Sequence, residues 1–137
     1  MPLDLVALKK SFFDSKAVTD ALDPAVRKAL SRFGAFVRTR SRSSIKKGKG
    51  KSKPGQPPKA HQGDIKRILF GYDAAAKSVV IGPIRYGSAS GAPETLEYGG
   101  YARLKGKTVR VKPRPFMGPA FDTELEKVGN NFRNLIR

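Results

Sequence analysis

The chain has 137 residues, 39% of them hydrophobic, and 28 Lys and Arg against 11 Asp and Glu leave a net charge of +17. That length suits one domain, and with no cysteine neither disulfides nor thiolate metal sites can hold a small core together. The charge implies a polyanionic partner, an acidic protein surface or a crowded assembly that supplies counter-charge. No stretch approaches the roughly 18 apolar residues that read as a membrane span. The N-terminus MPLDLVALKKSFFDSK lacks the zones of a secretory signal, so the chain is expected in the cytosol.

From Leu3 to Phe13 the apolar residues fit neither a period of 2 nor of 3.6, and a short strand or helical turn is expected. Asp23-Pro24 reads as a helix start, because Asp accepts first-turn amide hydrogens and proline at the first helical position loses no bond. Val26, Leu30, Phe33 and Val37 then form one apolar stripe, which fails beyond Val37. Gly34 within it costs about 1 kcal/mol relative to alanine, which predicts close approach of another backbone.

Residues 38–63 hold Arg38, Arg40, Arg42, Lys46, Lys47, Lys49, Lys51 and Lys53 with almost nothing apolar except Ile45 and Ala60. Ordering each residue costs about 1–2 kcal/mol of backbone entropy, so this basic Pro/Gly/Lys-rich loop is expected to be mobile in the free subunit and ordered on assembly. Its cations are expected to meet duplex phosphates or an acidic neighbour, or to stay solvated, and composition does not separate these. No aromatic lies between Phe36 and Phe70, so base stacking is not indicated for this segment.

Strands are predicted in DIKRILFGYD (64–73), KSVVIGPI (77–84) and KTVRVK (107–112), a helical turn in 93–98, and a closing helix from about Pro119 with Phe121, Leu125, Val128 and Phe132 as its stripe. The fold class is α+β: a small mixed or antiparallel sheet packed by a long helix in the N-terminal half and a C-terminal helix, with a long basic loop, all in one domain over 1–137. Catalytic chemistry has little to stand on. His61 is the sole histidine, Glu94 and Glu97 suit capping or ion pairing, and the glycines match no phosphate-cradling spacing. No catalytic, cofactor or metal residues are assigned and no cofactor is expected.

Four segments in order, PGQPPKAHQGDIKRILF (54–70), SVVIGP (78–83), APETLEYGGYA (92–102) and VKPRPFMGPAF (111–121), resemble the small neck or tail-completion proteins, minor tail proteins of long-tailed double-stranded DNA phages. The resemblance runs from about Ala25 to the end. This chain departs from many relatives in its lysine-rich loop and in Tyr98-Gly-Gly where a Phe-Gly-Thr type turn is usual. The resemblance implies a non-enzymatic virion protein, present in host cytoplasm before assembly. It would form a homo-oligomeric ring, six-fold first and twelve-fold second in expectation, between head-connector and tail-terminator or tail-tube proteins. Non-specific contact with packaged DNA and no membrane contact would go with that role.

Gly99 and Gly100 permit a sharp turn that leaves Glu97 and Tyr98 near the surface, and Pro113 and Pro115 hold an extended arm presenting Arg114, Phe116 and Met117. Those five residues are expected at a subunit interface, with Phe116 and Met117 tucked into their own core as the other reading. The competing function is a cellular nucleic-acid-binding module that grips DNA or RNA backbone with the basic loop.

Overall fold

The computed structural model describes residues 15–61, 63–84 and 92–133, so the Leu3–Phe13 cluster lies outside the described residues. Helix α1 spans Ser15–Ser44 and carries Pro24 inside it. The helix therefore begins before Asp23-Pro24, contrary to the sequence reading. A proline removes only its own N–H and crowds the carbonyl four residues back, and the residues before it keep their own helical bonds. Asp23 serves tertiary structure instead: its Oδ1 accepts from Lys77 Nζ at 2.9 Å.

At the other end α1 continues past Val37, where Arg38 and Arg40 are paired across the fold. Arg38 Nε donates to Ile68 O at 2.7 Å and Arg40 Nε to Glu124 Oε1 at 2.5 Å. Ser41 is fully buried as a small residue beside the core. The buried face thus reads Phe33, Val37, Ser41 and on to Ile45, a stripe that an apolar count breaks at Ser41.

After a 3-10 turn, Gly63–Lys66, strands β1 (Ile68–Asp73) and β2 (Ser78–Pro83) form an antiparallel hairpin in which Phe70 faces Ile81 and Tyr72 faces Val79. In the connecting turn Asp73 Oδ1 accepts from the N–H groups of Ala75 and Ala76. One face of the hairpin, with Ile68, Phe70 and Ile81, packs on α1. Arg27 lies over the Tyr72 ring at 5.7 Å, tying helix to strand at the far end. The opposite face is bare: Leu69 and Val80 are 54% and 66% exposed, each directly opposite a glycine, Gly82 and Gly71.

Gly34 sits where α1 crosses this hairpin. A Cβ there would lie 2.8 Å from Val79 Cγ2 and 2.9 Å from Phe70 Cδ2, so the close approach is made by strand side chains and not by another backbone. Gly34→Ala should therefore destabilise by about 1–2 kcal/mol in urea unfolding. The gain in helix propensity, about 1 kcal/mol, is outweighed by overpacking of about 1–3 kcal/mol against a β-branched side chain and a ring.

Helix α2 (Ala92–Tyr98) leads into a second hairpin, β3 (Gly100–Leu104) with β4 (Lys107–Val111), closed by Lys105 and Gly106 at φ 49° and 77°. Positive φ at both central residues matches the right-handed twist of the strands. β3 is concealed in the sequence by its glycine-rich setting. The expected single sheet is two separate antiparallel ribbons. Pro83 ends β2 without an N–H to offer a further strand.

Two helices close the chain, α3 (Gly118–Leu125) and α4 (Val128–Arg133). The stripe predicted for one closing helix is not the buried one in α3: Phe121 and Leu125 are 41% and 47% exposed, while Ala120 and Glu124 are buried. Glu124 is buried where Arg40 Nε meets its carboxylate, so the face turned inward carries a paired charge. Phe121 still meets the Phe33 ring edge-on at 5.4 Å, and Val128 packs against the same part of the core. Among the described residues the core has two centres, Ile45, Ala60, Ile68 and Phe116 in one, Phe33, Val37 and Ala120 in the other, with Ile81 and Met117 touching both.

Candidate functional site: the basic strap and the proline arm

The basic segment starts at Ile45, where α1 ends, and is built into the body instead of hanging free. Ile45, Pro58 and Ala60 are buried. Lys47 and Ala60 form a parallel bridge, with Ala60 N–H donating to Lys46 O at 3.0 Å. At the tip, Gly55 N–H donates to Pro113 O at 2.9 Å and Arg114 Nε to Ser52 O at 3.1 Å. The expected 38–63 loop thus differs in its bounds. Residues 38–44 are helix, and the remainder is a strap held at both feet by apolar anchors and at its crest by the arm. Composition counts how many side chains can be buried, whereas a strap needs only a few at its ends; Pro54, Pro57 and Pro58 also lower the entropy lost on ordering.

The eight predicted contact cations are therefore not equivalent. Arg38 and Arg40 are engaged internally with Ile68 and Glu124. Arg42 is exposed and, with Arg38, Lys66 and Arg67, lines an open cavity of about 360 Å³ floored by Ile68, Leu69 and Ile84. Lys46, Lys47, Lys49, Lys51 and Lys53 project into solvent along the strap. Glu124 has an 8% exposed side chain, and its other cation, Lys127, stands at 3.6 Å. Because the Arg40 side chain is 42% exposed and Lys127 stays beside the carboxylate, Arg40→Ala should cost about 1–2 kcal/mol in urea unfolding, the loss of one charge-assisted hydrogen bond to a buried acceptor. Adding Glu124→Gln to that variant should recover part of the loss.

The predicted interface residues separate in the same way. Phe116 is 1% exposed and belongs to the core, so it cannot present itself to a neighbour. Glu97 is also internal: its carboxylate accepts from the backbone N–H groups of Phe116 at 2.9 Å, Met117 at 3.0 Å and Gly118 at 2.7 Å. Met117 is half-buried between the two core centres. Arg114 is held by its own N–H to Leu96 O, by Nε to Ser52 O and by Nη1 to Lys112 O. Tyr98 alone of the five is open, at 79% exposure.

The arm and the strap, each read as reaching for a partner, thus hold one another. Sequence reasoning missed the exposed Leu69, Val80 and Tyr101. The signal for Tyr101 was present in the alternation of YARL directly after Gly-Gly, and for Leu69 and Val80 in glycines two residues along each strand.

Titratable groups offer little further chemistry. Among the described residues no three His, Cys, Asp or Glu gather as a metal group, and no helix is long and apolar enough to cross a membrane. Lys77 is raised above its ordinary pKa by the hydrogen bond to Asp23 first and by the charge of that carboxylate second. Comparison of the chain with protein-family models, curated proteins and solved structures finds no match in any of the three.

Proposed function

We propose that this chain is a structural, non-enzymatic subunit of a tailed-phage virion, forming a ring at the head-to-tail junction. The observation that carries the reading is the bare outer face of the β1–β2 ribbon, where Leu69 and Val80 stand beside Gly82 and Gly71 and form an apolar surface of knobs and hollows. Gly71 and Gly82 have open space where a Cβ would be, so a neighbour's side chains can seat there. The β3–β4 ribbon adds a second open surface, since it meets the body chiefly through α2. Two-stranded ribbons are marginal by themselves and gain stability from a further partner. The proposed place of the ring in the virion rests on the sequence resemblance to neck and tail-completion proteins alone.

Native mass spectrometry of the purified chain is the test. A cyclic oligomer, six-fold or twelve-fold, is expected, and Leu69→Lys with Val80→Lys should reduce it to monomer without lowering its melting temperature. A chain that stays monomeric at its solubility limit, and also when mixed with head-connector and tail proteins encoded beside it, would overturn the reading. A second function, a nucleic-acid-binding module, draws support from the convergence of Arg42, Lys66 and Arg67 on one cavity. It predicts tight, steeply salt-dependent binding of duplex by isolated monomer.

A further inference from the structure

The β3–β4 ribbon and the helix end that leads into it combine two exposed aromatic rings with a set of cations that has no acid among them. From Tyr98 to Phe121 the chain has no Asp or Glu, but carries Arg103, Lys105, Lys107, Arg110, Lys112 and Arg114. Side-chain alternation puts Tyr101 and Arg103 on one face of β3, and the register sets Tyr101 directly across from Arg110. Tyr98, at the end of α2, and Lys112, just past β4, join them: Tyr98, Tyr101, Arg110 and Lys112 line one open concavity of about 410 Å³. Tyr98 is 79% and Tyr101 73% exposed, so neither ring is occupied by the core.

Gly99 and Gly100 lie between the two tyrosines. Gly99 has φ 76°, and a Cβ there would meet Pro113 Cδ at 3.0 Å, so the tight turn requires glycine. A Cβ at Gly100 would meet nothing within 4 Å, and both glycines line the concavity without a side chain to fill it.

Three occupants can be compared on charge and shape. A second copy of a +17 chain brings like charge to a face that has no acid of its own. Duplex DNA supplies phosphates, but its bases are stacked on one another and offer no open face to a tyrosine. Single-stranded nucleic acid supplies both, splayed bases for aromatic rings and phosphates for cations. We propose that this concavity binds single-stranded nucleic acid, with bases stacked on Tyr98 and Tyr101 and phosphates held by Arg110 and Lys112. The site adjoins the strap at Pro113 but uses none of the strap's cations, and it does not rest on the virion reading.

The test is fluorescence anisotropy of a labelled oligothymidylate and of a duplex of equal length, with the full chain at two salt concentrations. Single strand should bind more tightly than duplex. Replacing both tyrosines, Tyr98→Ala with Tyr101→Ala, should weaken oligothymidylate binding by about 30-fold or more, since base–aromatic stacking contributes about 1–3 kcal/mol per base. The Tyr98→Phe, Tyr101→Phe pair should bind like the unaltered chain, because stacking needs the ring and not the hydroxyl. Arg110→Gln with Lys112→Gln should flatten the salt dependence. Circular dichroism melting of every variant verifies the fold; if the alanine pair melts early, the phenylalanine and glutamine pairs still decide. Duplex bound as tightly as single strand, oligothymidylate affinity untouched by the alanine pair, or binding of polyglutamate with no oligonucleotide bound, would each overturn the proposal. Native mass spectrometry of the same variants reports separately on ring formation.

Discussion

Glu97→Ala is expected to lower the unfolding free energy by about 3 kcal/mol, among the largest effects of any single side-chain truncation in this chain. The carboxylate accepts three consecutive backbone N–H groups at the point where the arm becomes α3. Met117, at the N-cap position, has no side-chain capping bond of its own. Glu97 therefore caps α3 from another element, and its negative charge lies at the positive end of the helix. Hydrogen bonds to a charged group contribute about 1.5–3 kcal/mol each, and water can replace part of three on a half-buried surface, which sets the total well below their sum. Glu97→Gln keeps one acceptor oxygen without the charge and should lose about half as much. Urea unfolding at neutral pH measures both; a loss under about 1 kcal/mol for the alanine variant would mean that solvent satisfies the three donors equally well.

Phe116→Ala should cost about 3–5 kcal/mol, as expected of a fully buried ring whose space cannot collapse. Phe116 is packed with Ile45, Ala60 and Ile68, so it is the common anchor of both feet of the strap and of β1. Its removal should loosen the strap selectively. Trypsin, which cuts after Lys and Arg, should then cleave between Lys46 and Lys53 well before it attacks α1, while the unaltered chain resists at the same sites. Equal cleavage of the two proteins would show that the strap is not held through Phe116. Amide exchange gives a parallel reading, with protection at Ala60 N–H expected in the unaltered chain because that group donates to Lys46 O.

The α+β class, the β1–β2 hairpin, the helical turn at 93–98 and the existence of α1 were legible because each depends on local pattern: period 3.6 in Val26, Leu30, Phe33 and Val37, and a strand–turn–strand rhythm about Asp73 to Lys77. What was not legible depends on long-range pairing. Arg38, Arg40 and Ser41 look like the end of a helix until Ile68 O and Glu124 are placed beside them. Glu124 in turn is buried with Ala120 while Leu125 is not, inverting the face that hydrophobicity favours. The strap's contacts were not legible for a related reason. Its two apolar residues, Ile45 and Ala60, are few but sit at its ends, and their partners Ile68 and Phe116 are remote in sequence. For the interface residues, an extended proline arm looked outward-facing, yet Pro113 O and Arg114 meet the crest of the strap.

The reciprocal hold between strap and arm also sets an order of events during synthesis. Ile45 and Ala60 are made well before Pro113 and Phe116, and contacts so far apart along a chain form late. Until Phe116 has been made, the growing polypeptide therefore trails an open lysine-studded bight, close to the polyanionic surface of the ribosome itself.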